Sequence, residues 1–182
     1  VLNQSLNVGS AFVADRIGKE RFRNYFTRFG LGEETGIDLP NEGVGNIDNL
    51  NSNRDIEFAT ASFGQGIAVT PIAAIRAFSA LANGGTLPSP HIVERIEYGM
   101  GASRNFVSGE ERRVIKTSTS HESTRMLTKA VDTALLDGTL KKEHYSIAAK
   151  TGTAQQVVEG KYSETEFLHT FFGYFPSYDP KF

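Results

Sequence analysis

Two strand-like runs near the end of the chain constrain its fold most. Residues 147–158 and 168–175 are rich in β-branched and aromatic side chains, and a polar segment that begins with Glu159, Gly160 and Lys161 separates them. Runs of this kind on either side of a glycine-containing turn favour antiparallel pairing. The sequence therefore predicts an antiparallel pair of strands in this region.

Two short helices are predicted at the start of the chain. Apolar residues recur at positions 8, 12, 13 and 17, which form one face of a helix over residues 8–17, and Gly18 is placed to end it. A second helix over residues 19–29 carries phenylalanines at positions 22, 26 and 29. Their helical spacing indicates core residues and argues against a ligand-binding box.

Two further helices are predicted in the middle of the chain. Thr70 followed by Pro71 is a typical helix start, with a capping hydroxyl before a proline in the first turn, and the apolar pattern continues to Asn83. Ser120 is a candidate cap for a helix over residues 121–137. The buried side of that helix is predicted to carry Met126, Leu127, Ala130, Val131, Ala134 and Leu135.

The remaining segments have weaker patterns. Residues 30–66 are rich in glycine, asparagine and aspartate, so we expect a long, functional segment with little regular structure. Residues 91–98 are predicted to form a strand, and residues 99–119 an exposed loop or hairpin. With helices in the middle and strands at the end, the 182 residues predict an α+β fold in one domain.

The composition argues against several classes of function. Nineteen basic and twenty-one acidic residues give a formal net charge of −2, which offers no electrostatic basis for binding nucleic acid or an anionic membrane surface. The chain has no cysteine, which excludes disulfides and thiolate metal sites. Its four histidines lack metal-binding spacing, so we expect neither a metal nor a cofactor. No stretch is apolar over the length needed to span a bilayer.

The chemistry is concentrated in one motif, Lys150-Thr151-Gly152-Thr153, inside the first of the two predicted strands. An edge strand can offer free backbone N–H and C=O groups to an extended peptide. Strand alternation places Thr151 and Thr153 on one face, where two hydroxyls can hold a carboxylate. Gly152 lets a ligand approach the backbone, and Lys150 supplies a positive charge that attracts an anionic substrate and helps to move protons.

A bare Lys-Thr-Gly tripeptide also occurs by chance as a surface lysine beside a turn. Here the motif lies in a run of residues, 150–155, that continues directly from Ala148 and Ala149 within the predicted strand. Because the motif has the strand context that its chemistry requires, the functional interpretation is favoured.

A second candidate motif is Ser5-Leu6-Asn7, at the start of the first predicted helix. A hydroxyl and an amide two residues apart on a tight turn can point into one cleft, so that Ser5 relays a proton to a leaving amine and Asn7 binds a substrate amide. Alone, this tripeptide is more often a plain helix cap. It gains weight because it precedes Lys-Thr-Gly in the order of the Ser-x-x-Lys, Ser-x-Asn and Lys-Thr-Gly set.

Taken together, these motifs resemble the class B, monofunctional penicillin-binding proteins. Three further blocks carry the resemblance: residues 29–32 with 35–40 (Phe-Gly-Leu-Gly, then Thr-Gly-Ile-Asp-Leu-Pro), residues 62–66 with 69–71 (Ser-Phe-Gly-Gln-Gly, then Val-Thr-Pro), and residues 173–176 with 179–180 (Gly-Tyr-Phe-Pro, then Asp-Pro). Because the blocks follow one another in order over nearly the whole chain, the resemblance is specific.

The resemblance implies a fold and a chemistry. The fold is the β-lactamase/transpeptidase-like one, an antiparallel sheet with helices on both faces, here incomplete at both ends, against which the helices over 8–29 and 121–137 would pack. In the reaction, a nucleophilic serine attacks the D-Ala-D-Ala carbonyl of a peptidoglycan stem peptide, D-Ala leaves, and an amine of a neighbouring stem takes the acyl group. β-Lactam antibiotics imitate the dipeptide and stall at the acyl stage.

Carried onto this sequence residue by residue, the resemblance implies catalytic roles for Ser5, Asn7 and Lys150. It implies substrate-binding roles for residues of the strand, namely Thr151, Gly152, Thr153 and Gln155. The backbone N–H of Thr153 would be one half of an oxyanion hole. His169, in the partner strand, is expected to be structural.

The resemblance also implies a place and partners for the protein. It would act at the outer face of the bacterial cytoplasmic membrane, anchored by an N-terminal segment that this sequence lacks. It would work with a glycosyltransferase of the elongation or division machinery, and no nucleic-acid partner is implied.

The sequence departs from the family pattern at the nucleophile. No serine in the 182 residues is followed three positions later by lysine, so we expect this stretch alone to form no acyl-enzyme. The chain opens at Val1 without an initiator methionine and stops soon after the second predicted strand. We therefore expect residues 1–182 to be a partial transpeptidase domain, with the Ser-x-x-Lys nucleophile upstream.

Two alternatives stay open. A serine β-lactamase or a lactam-sensing receptor domain shares the fold and the motifs, but we can name no residue that would activate water for a hydrolase. A non-catalytic transpeptidase-like binding module would explain the missing nucleophile, although the other cleft residues are intact.

Overall fold

The computed structural model describes residues 1–105, 109 and 111–181. The helices of this part of the chain are α1 (Asn7–Ile17), α2 (Lys19–Arg28), α3 (Asp55–Ala61), α4 (Pro71–Ala82) and α5 (Thr117–Thr133). Its strands are β1 (Thr86–Leu87), β2 (Arg95–Glu97), β3 (Ser103–Asn105), β4 (Arg112–Arg113), β5 (Ala148–Val158) and β6 (Lys161–Tyr174). They form three antiparallel pairs, β1 with β4, β2 with β3 and β5 with β6, which confirms the predicted α+β class. None of the described helices combines the length and the apolar character that crossing a membrane requires.

The predicted strand pair at the end of the chain is the hairpin of β5 and β6. The strands are antiparallel, with Ala148 opposite Tyr174 and Thr153 opposite His169. The prediction that β6 begins at residue 168 was wrong, since residues 161–167 also belong to the strand. Only Glu159 and Gly160 form the turn, and both have a positive φ, 50° and 78°. A two-residue turn of this kind matches the twist of the strands, so pairing begins immediately after it.

One face of the hairpin is covered by helices. Ala148 and Tyr174 share this face and form a buried cluster with Leu127 of α5. Phe172, on the same face, stacks on Phe78 of α4 with ring centroids 4.5 Å apart. Alternation then places the neighbouring residues of both strands on the opposite face. This packing decides which strand residues point away from the core.

Helix α5 is shifted towards the N-terminus relative to the prediction. It begins at Thr117, and Ser120 is a buried residue inside it, so the capping role predicted for Ser120 was wrong. The Ser120 hydroxyl instead donates a 2.7 Å hydrogen bond to the carbonyl of Leu81. That carbonyl lies in the last turn of α4, where the helix itself offers no donor. The helix ends at Thr133, and the next residues include Leu136, whose φ of 48° cannot continue a right-handed helix.

Helices α1 and α2 do not pack on the hairpin as predicted. They contact each other, and α1 also contacts α3. Phe22 and Phe26 of α2 pack against a buried cluster that includes Phe58, which confirms them as core residues. The predicted buried face of α1 was wrong: Phe12, for example, is 64 % exposed. The one buried side chain described in α1 is Ala14, a small residue that lets another helix approach closely.

The segment over residues 30–66 contains more regular structure than predicted. A 3₁₀ turn spans Asp48–Asn51, and α3 follows it. With a length of 7 residues, α3 buries only Phe58 and Ala61. Two apolar positions are too few to produce a detectable helical period, which explains why the sequence pattern missed it.

The strand predicted over residues 91–98 is shorter in the structure. Only Arg95–Glu97 forms β2, and it pairs with β3 as a hairpin. The hairpin therefore begins before residues 99–119, where an exposed loop or hairpin was predicted, and only its second strand lies in that range. Residues 106–108 and 110 of the range lie outside the described residues.

Two carboxylates fix the loop over residues 35–42. Asp38 accepts hydrogen bonds from the backbone N–H groups of Ile92 and Val93, at 2.7 and 2.8 Å. Glu42 accepts from the hydroxyl and the N–H of Thr35, at 2.6 and 2.8 Å. The Val93 N–H is the main cause that lowers the pKa of Asp38, and the Thr35 hydroxyl is the main cause that lowers the pKa of Glu42. Because both folded-state pKa values are depressed, this stabilisation is present above the unfolded pKa values and is lost as the pH falls through the folded ones.

The hairpin root is joined to α5 by a buried pair of hydroxyls, which yields a stability prediction. Thr124 and Tyr174 are almost fully buried, and their hydroxyls lie 2.7 Å apart. Tyr174→Phe should lower the free energy of unfolding by about 1–2 kcal/mol, because it leaves the Thr124 hydroxyl with only a long contact to a carbonyl. Chemical denaturation measures this loss. Tyr178→Phe, at a tyrosine that is 63 % exposed, is the matched control and should change little. Equal effects of the two variants would contradict a role for the buried pair.

Candidate active site

The two sequence motifs meet in space. Lys150 Nζ of β5 donates a hydrogen bond to Ser5 Oγ, although 145 residues separate them. Ser5 lies in the turn that precedes α1 and has a φ of 47°, a backbone conformation that residues other than glycine adopt rarely. Such strained positions cluster at functional sites. The contact between Lys150 and Ser5 is therefore the centre of the candidate site.

Lys150 is held by more than one acceptor. Its ammonium also donates to the carbonyl of Thr151, at 2.8 Å. The residue is partly buried, and this burial lowers the pKa of the Lys150 ammonium. Loss of water favours the neutral form of a lysine. The group can therefore release a proton at a lower pH than a lysine in water.

A cleft of about 290 Å³ lies beside this contact. It is lined by residues 2–5, by Lys150 with its two strand neighbours, and by the segment over residues 130–137 at the end of α5. Hence Ser5, Lys150 and Thr151 face one common space, and its polar groups can take part in proton transfer.

Thr151 and Thr153 are exposed on the hairpin face opposite the helices, as strand alternation predicts. Thr153 Oγ1 lies 3.3 Å from His169 Nδ1 in the neighbouring strand, and the tautomer of the ring decides which group donates. His169 thus belongs to the same exposed face as the two threonines. Its position makes it a neighbour of the candidate site.

The outer edge of β5 can accept an extended ligand. Among the described residues, β5 pairs only with β6. The Thr151 carbonyl is taken by Lys150 Nζ, from the side of β5 where Ser5 lies. In an antiparallel strand the N–H and C=O groups of one residue point to the same side, and the side alternates along the strand. We infer that the Thr153 N–H points to this free edge too.

Gly152 has a packing reason to be glycine. A Cβ atom at this position would lie 2.5 Å from Oγ1 of Thr170, the residue directly opposite in β6. Real Cβ atoms essentially never come so close. The contact is on the face that carries Ala148 and Tyr174, away from Thr151 and Thr153, so the hairpin itself constrains this position.

Two other predicted site residues lie apart from the Lys150 contact. Asn7 is the first residue of α1 and is exposed, and no hydrogen-bond partner of its side chain is found within residues 1–105, 109 and 111–181. Gln155 donates from its side-chain amide to the carbonyl of Ser163 in β6, at 3.0 Å. Ligand contacts of Asn7 and Gln155 therefore stay predictions.

A second contact between the hairpin and the part of the molecule around α1 and α3 was not predicted from the sequence. The Gly66 N–H donates to the hydroxyl of Tyr162, at 3.1 Å. The two residues are 96 positions apart, and no spacing rule links them. The available signal was that Gly66 ends one of the blocks that carry the family resemblance.

The described residues contain no group of three or more histidine, aspartate or glutamate side chains that could hold a metal ion.

Comparison with known proteins identifies the family. The model of the penicillin-binding protein transpeptidase domain matches residues 1–182. Stage V sporulation protein D of Bacillus subtilis is 37% identical over 183 residues, which cover 99% of this chain and 28% of that protein. The probable peptidoglycan D,D-transpeptidase PenA of Neisseria gonorrhoeae is 26% identical over 181 residues, which cover 100% of this chain and 29% of PenA.

A solved structure supports the same assignment. Penicillin-binding protein 3 from Mycobacterium tuberculosis, in complex with ampicillin, superposes with a TM-score of 0.92 at 29% identity, over 99% of this chain and 42% of that one. The match confirms the predicted β-lactamase/transpeptidase-like fold. The chain spans less than a third of the length of the two relatives named above. The chain belongs to the family of penicillin-binding protein transpeptidase domains.

Proposed function

We propose that the protein is a serine-type peptidoglycan D,D-transpeptidase that cross-links stem peptides ending in D-Ala-D-Ala and is acylated by β-lactams. The observation that carries this proposal is the hydrogen bond from Lys150 to Ser5 beside the free edge of β5. The names of the relatives agree with it. PenA is called a probable peptidoglycan D,D-transpeptidase, and the protein from M. tuberculosis was crystallised with ampicillin.

Each candidate residue has a role in this reaction. The ammonium of Lys150 attracts the anionic end of the substrate, and Ser5 passes a proton towards the leaving amine. The hydroxyls of Thr151 and Thr153 hold the substrate carboxylate, and the Thr153 N–H stabilises the oxyanion that develops on the attacked carbonyl. Asn7 binds a substrate amide.

The acyl-enzyme needs a nucleophile that these 182 residues do not supply as Ser-x-x-Lys. In this proposal another part of the protein places that serine beside Ser5 and Lys150, in the cleft of about 290 Å³. A nucleophile must lie within hydrogen-bonding reach of its base, and this cleft is where the hydroxyl and ammonium groups converge. We further propose that residues 1–182 form part of one transpeptidase domain.

The proposed substrate also defines the surroundings of the enzyme. Peptidoglycan lies outside the cytoplasmic membrane, so the domain would act in the bacterial envelope, held there by an anchor outside residues 1–182. A glycosyltransferase that makes the glycan strands is the partner whose product this reaction consumes.

Labelled penicillin tests the proposal on the intact protein. A transpeptidase should form a covalent adduct that persists for hours, whereas rapid release of hydrolysed drug would indicate a β-lactamase. No adduct in an intact protein that lacks Ser-x-x-Lys would indicate a binding module. Reading the codons upstream of Val1 shows whether that motif is encoded.

The Lys150 contact predicts an effect of substitution. Lys150→Ala and Ser5→Ala in the intact protein should each slow acylation by labelled penicillin on the order of 10²-fold, because each removes a proton-transfer group. Lys129→Ala and Ser118→Ala, at exposed positions of α5, are the matched controls. Stopped-flow measurement of the acylation rate distinguishes the two pairs, and equal rates in all four variants would contradict the assigned roles.

The pKa of Lys150 predicts a pH dependence. Burial lowers this pKa, so the ammonium loses its proton at a lower pH than a lysine in water. The acylation rate should therefore fall as the pH rises through this lowered value. Lys150→Arg keeps its charge over the same range and should abolish this fall. A rate that keeps rising with pH in the unsubstituted protein would show that the neutral amine is the active form.

The Gly152 contact predicts a rescue. Gly152→Ala should slow acylation about ten-fold or more, because a forced Cβ contact displaces the strand that carries Thr151 and Thr153. Thr170→Ala removes the nearest atom and leaves the next at 3.9 Å, so the double variant should recover most of the rate. Gly99→Ala is the control, because no other heavy atom of the described residues lies within 4 Å of a Cβ at this position. Failure of the double variant to recover would show that a ligand, and not Thr170, needs the space.

A further inference from the structure

Two hydrogen bonds that lie far apart join the hairpin of β5 and β6 to the part of the molecule around α1 and α3. Near its root, Lys150 donates to Ser5. Near its tip, the hydroxyl of Tyr162 accepts from the N–H of Gly66. The residues on the helical side belong to neighbouring parts, since Ser5 precedes α1, Gly66 follows α3, and α1 packs on α3. The two bonds therefore connect the same pair of structural units.

The spacing of the two bonds along the hairpin can be compared with the length of an extended peptide ligand. Tyr162 of β6 lies opposite Val157 of β5 in the hairpin register. Val157 is seven residues beyond Lys150 along β5. At about 3.3 Å per residue, seven residues of strand span roughly 23 Å, and the register shift between Gln155 and Val157 lies within this stretch. Thr151 and Thr153 lie between Lys150 and Val157. The two contacts thus lie at the two ends of the stretch of hairpin that carries Thr151 and Thr153.

Gly66 is a fixed anchor for the outer contact. Its carbonyl accepts a 2.6 Å hydrogen bond from Asn49 Nδ2, so both polar groups of this residue are engaged. Its φ is +73°, and a Cβ atom would lie 2.7 Å from the same amide nitrogen. Leu50, the residue after Asn49, is fully buried in the cluster under α2 and α3. The anchor is therefore connected directly to the core.

The outer half of the hairpin has little else to hold it. The buried residues of β5 and β6 are at the root, at Ala148, Ala149 and Tyr174. Towards the tip, Val157 is 61% exposed and Tyr162 is 45% exposed. A two-stranded hairpin is only marginally stable without packing. The position of its outer half relative to the helical part therefore depends on the Tyr162 hydroxyl.

We propose that Tyr162 is a positioning residue, whose hydroxyl holds the outer half of the hairpin against the loop over residues 62–66 and so sets the far boundary of the peptide groove. This rests on the proposed transpeptidase function, since it concerns the extended peptide that lies along β5. A small lactam, which occupies only the region of Lys150 and Thr153, should not depend on this boundary. A peptide that runs along β5 should depend on this boundary.

Tyr162→Phe in the intact protein tests this, because it removes one oxygen and keeps the ring. Hydrogen exchange of the Gly66 N–H, followed by NMR, should accelerate about five-fold, as the loss of one exposed hydrogen bond predicts. With a peptide substrate that ends in D-Ala-D-Ala, KM should rise about five-fold while kcat changes less than two-fold. Acylation by penicillin should also change less than two-fold. Tyr98→Phe, at another half-exposed tyrosine, should leave all four quantities unchanged.

The outcomes separate the two proposals. Unchanged exchange at Gly66 would show that the tether does not exist in solution, and accelerated exchange with an unchanged KM would show that it positions nothing. Either result overturns the role of Tyr162. If the unsubstituted protein is acylated by neither ligand, the transpeptidase function fails and the groove role fails with it, while the exchange measurement still decides whether the tether forms.

Discussion

Burial of one face of the β5–β6 hairpin is the constraint on which the site depends. Ala148 and Tyr174 are fixed against α5, and strand alternation then leaves no freedom in where their neighbours point. Thr151 and Thr153 must face away from the helices, and a slip of one residue would exchange the two faces. The chemistry of the exposed face is therefore specified by the packing of the buried one.

Lys150 is an exception to the division of the hairpin into a buried and an exposed face. It belongs to the same alternating set as Ala148, yet its flexible side chain leaves the packed face at the strand edge and reaches Ser5 and the Thr151 carbonyl. Partial burial of Lys150 lowers the pKa of its ammonium. The packing of β5 thus fixes the position of Lys150, and partial burial makes its ammonium easier to deprotonate. A fully exposed lysine at the same edge would have the same position, but burial would not lower its pKa.

The sequence predicted which way the strand residues point better than it predicted the packing around them. The shared exposed face of Thr151 and Thr153 follows from a strand pattern of period two, which local residue types specify. The exposed face of α1 was predicted to be buried, because a helical pattern shows which residues are apolar and not which side another element covers. Ser120 was misassigned as a cap for a similar reason, since its partner, the carbonyl of Leu81, is 39 residues away. Contacts between segments that are distant in the chain produce no periodic pattern in the sequence.

The same limit applies to function. The hydroxyl of Tyr162 and the backbone of Gly66 would not be chosen by any rule of catalytic residue types, because neither is an acid, a base or a nucleophile at neutral pH. They matter through geometry: a strand offers its edge to a peptide only if that edge is held at a fixed distance from the opposite wall. Ser5 near one end and Gly66 near the other supply that wall from segments that α1 and α3 pack together. The groove is therefore a property of how the helical part and the hairpin are joined, and the Lys-Thr-Gly motif describes only the side of it that lies on one strand.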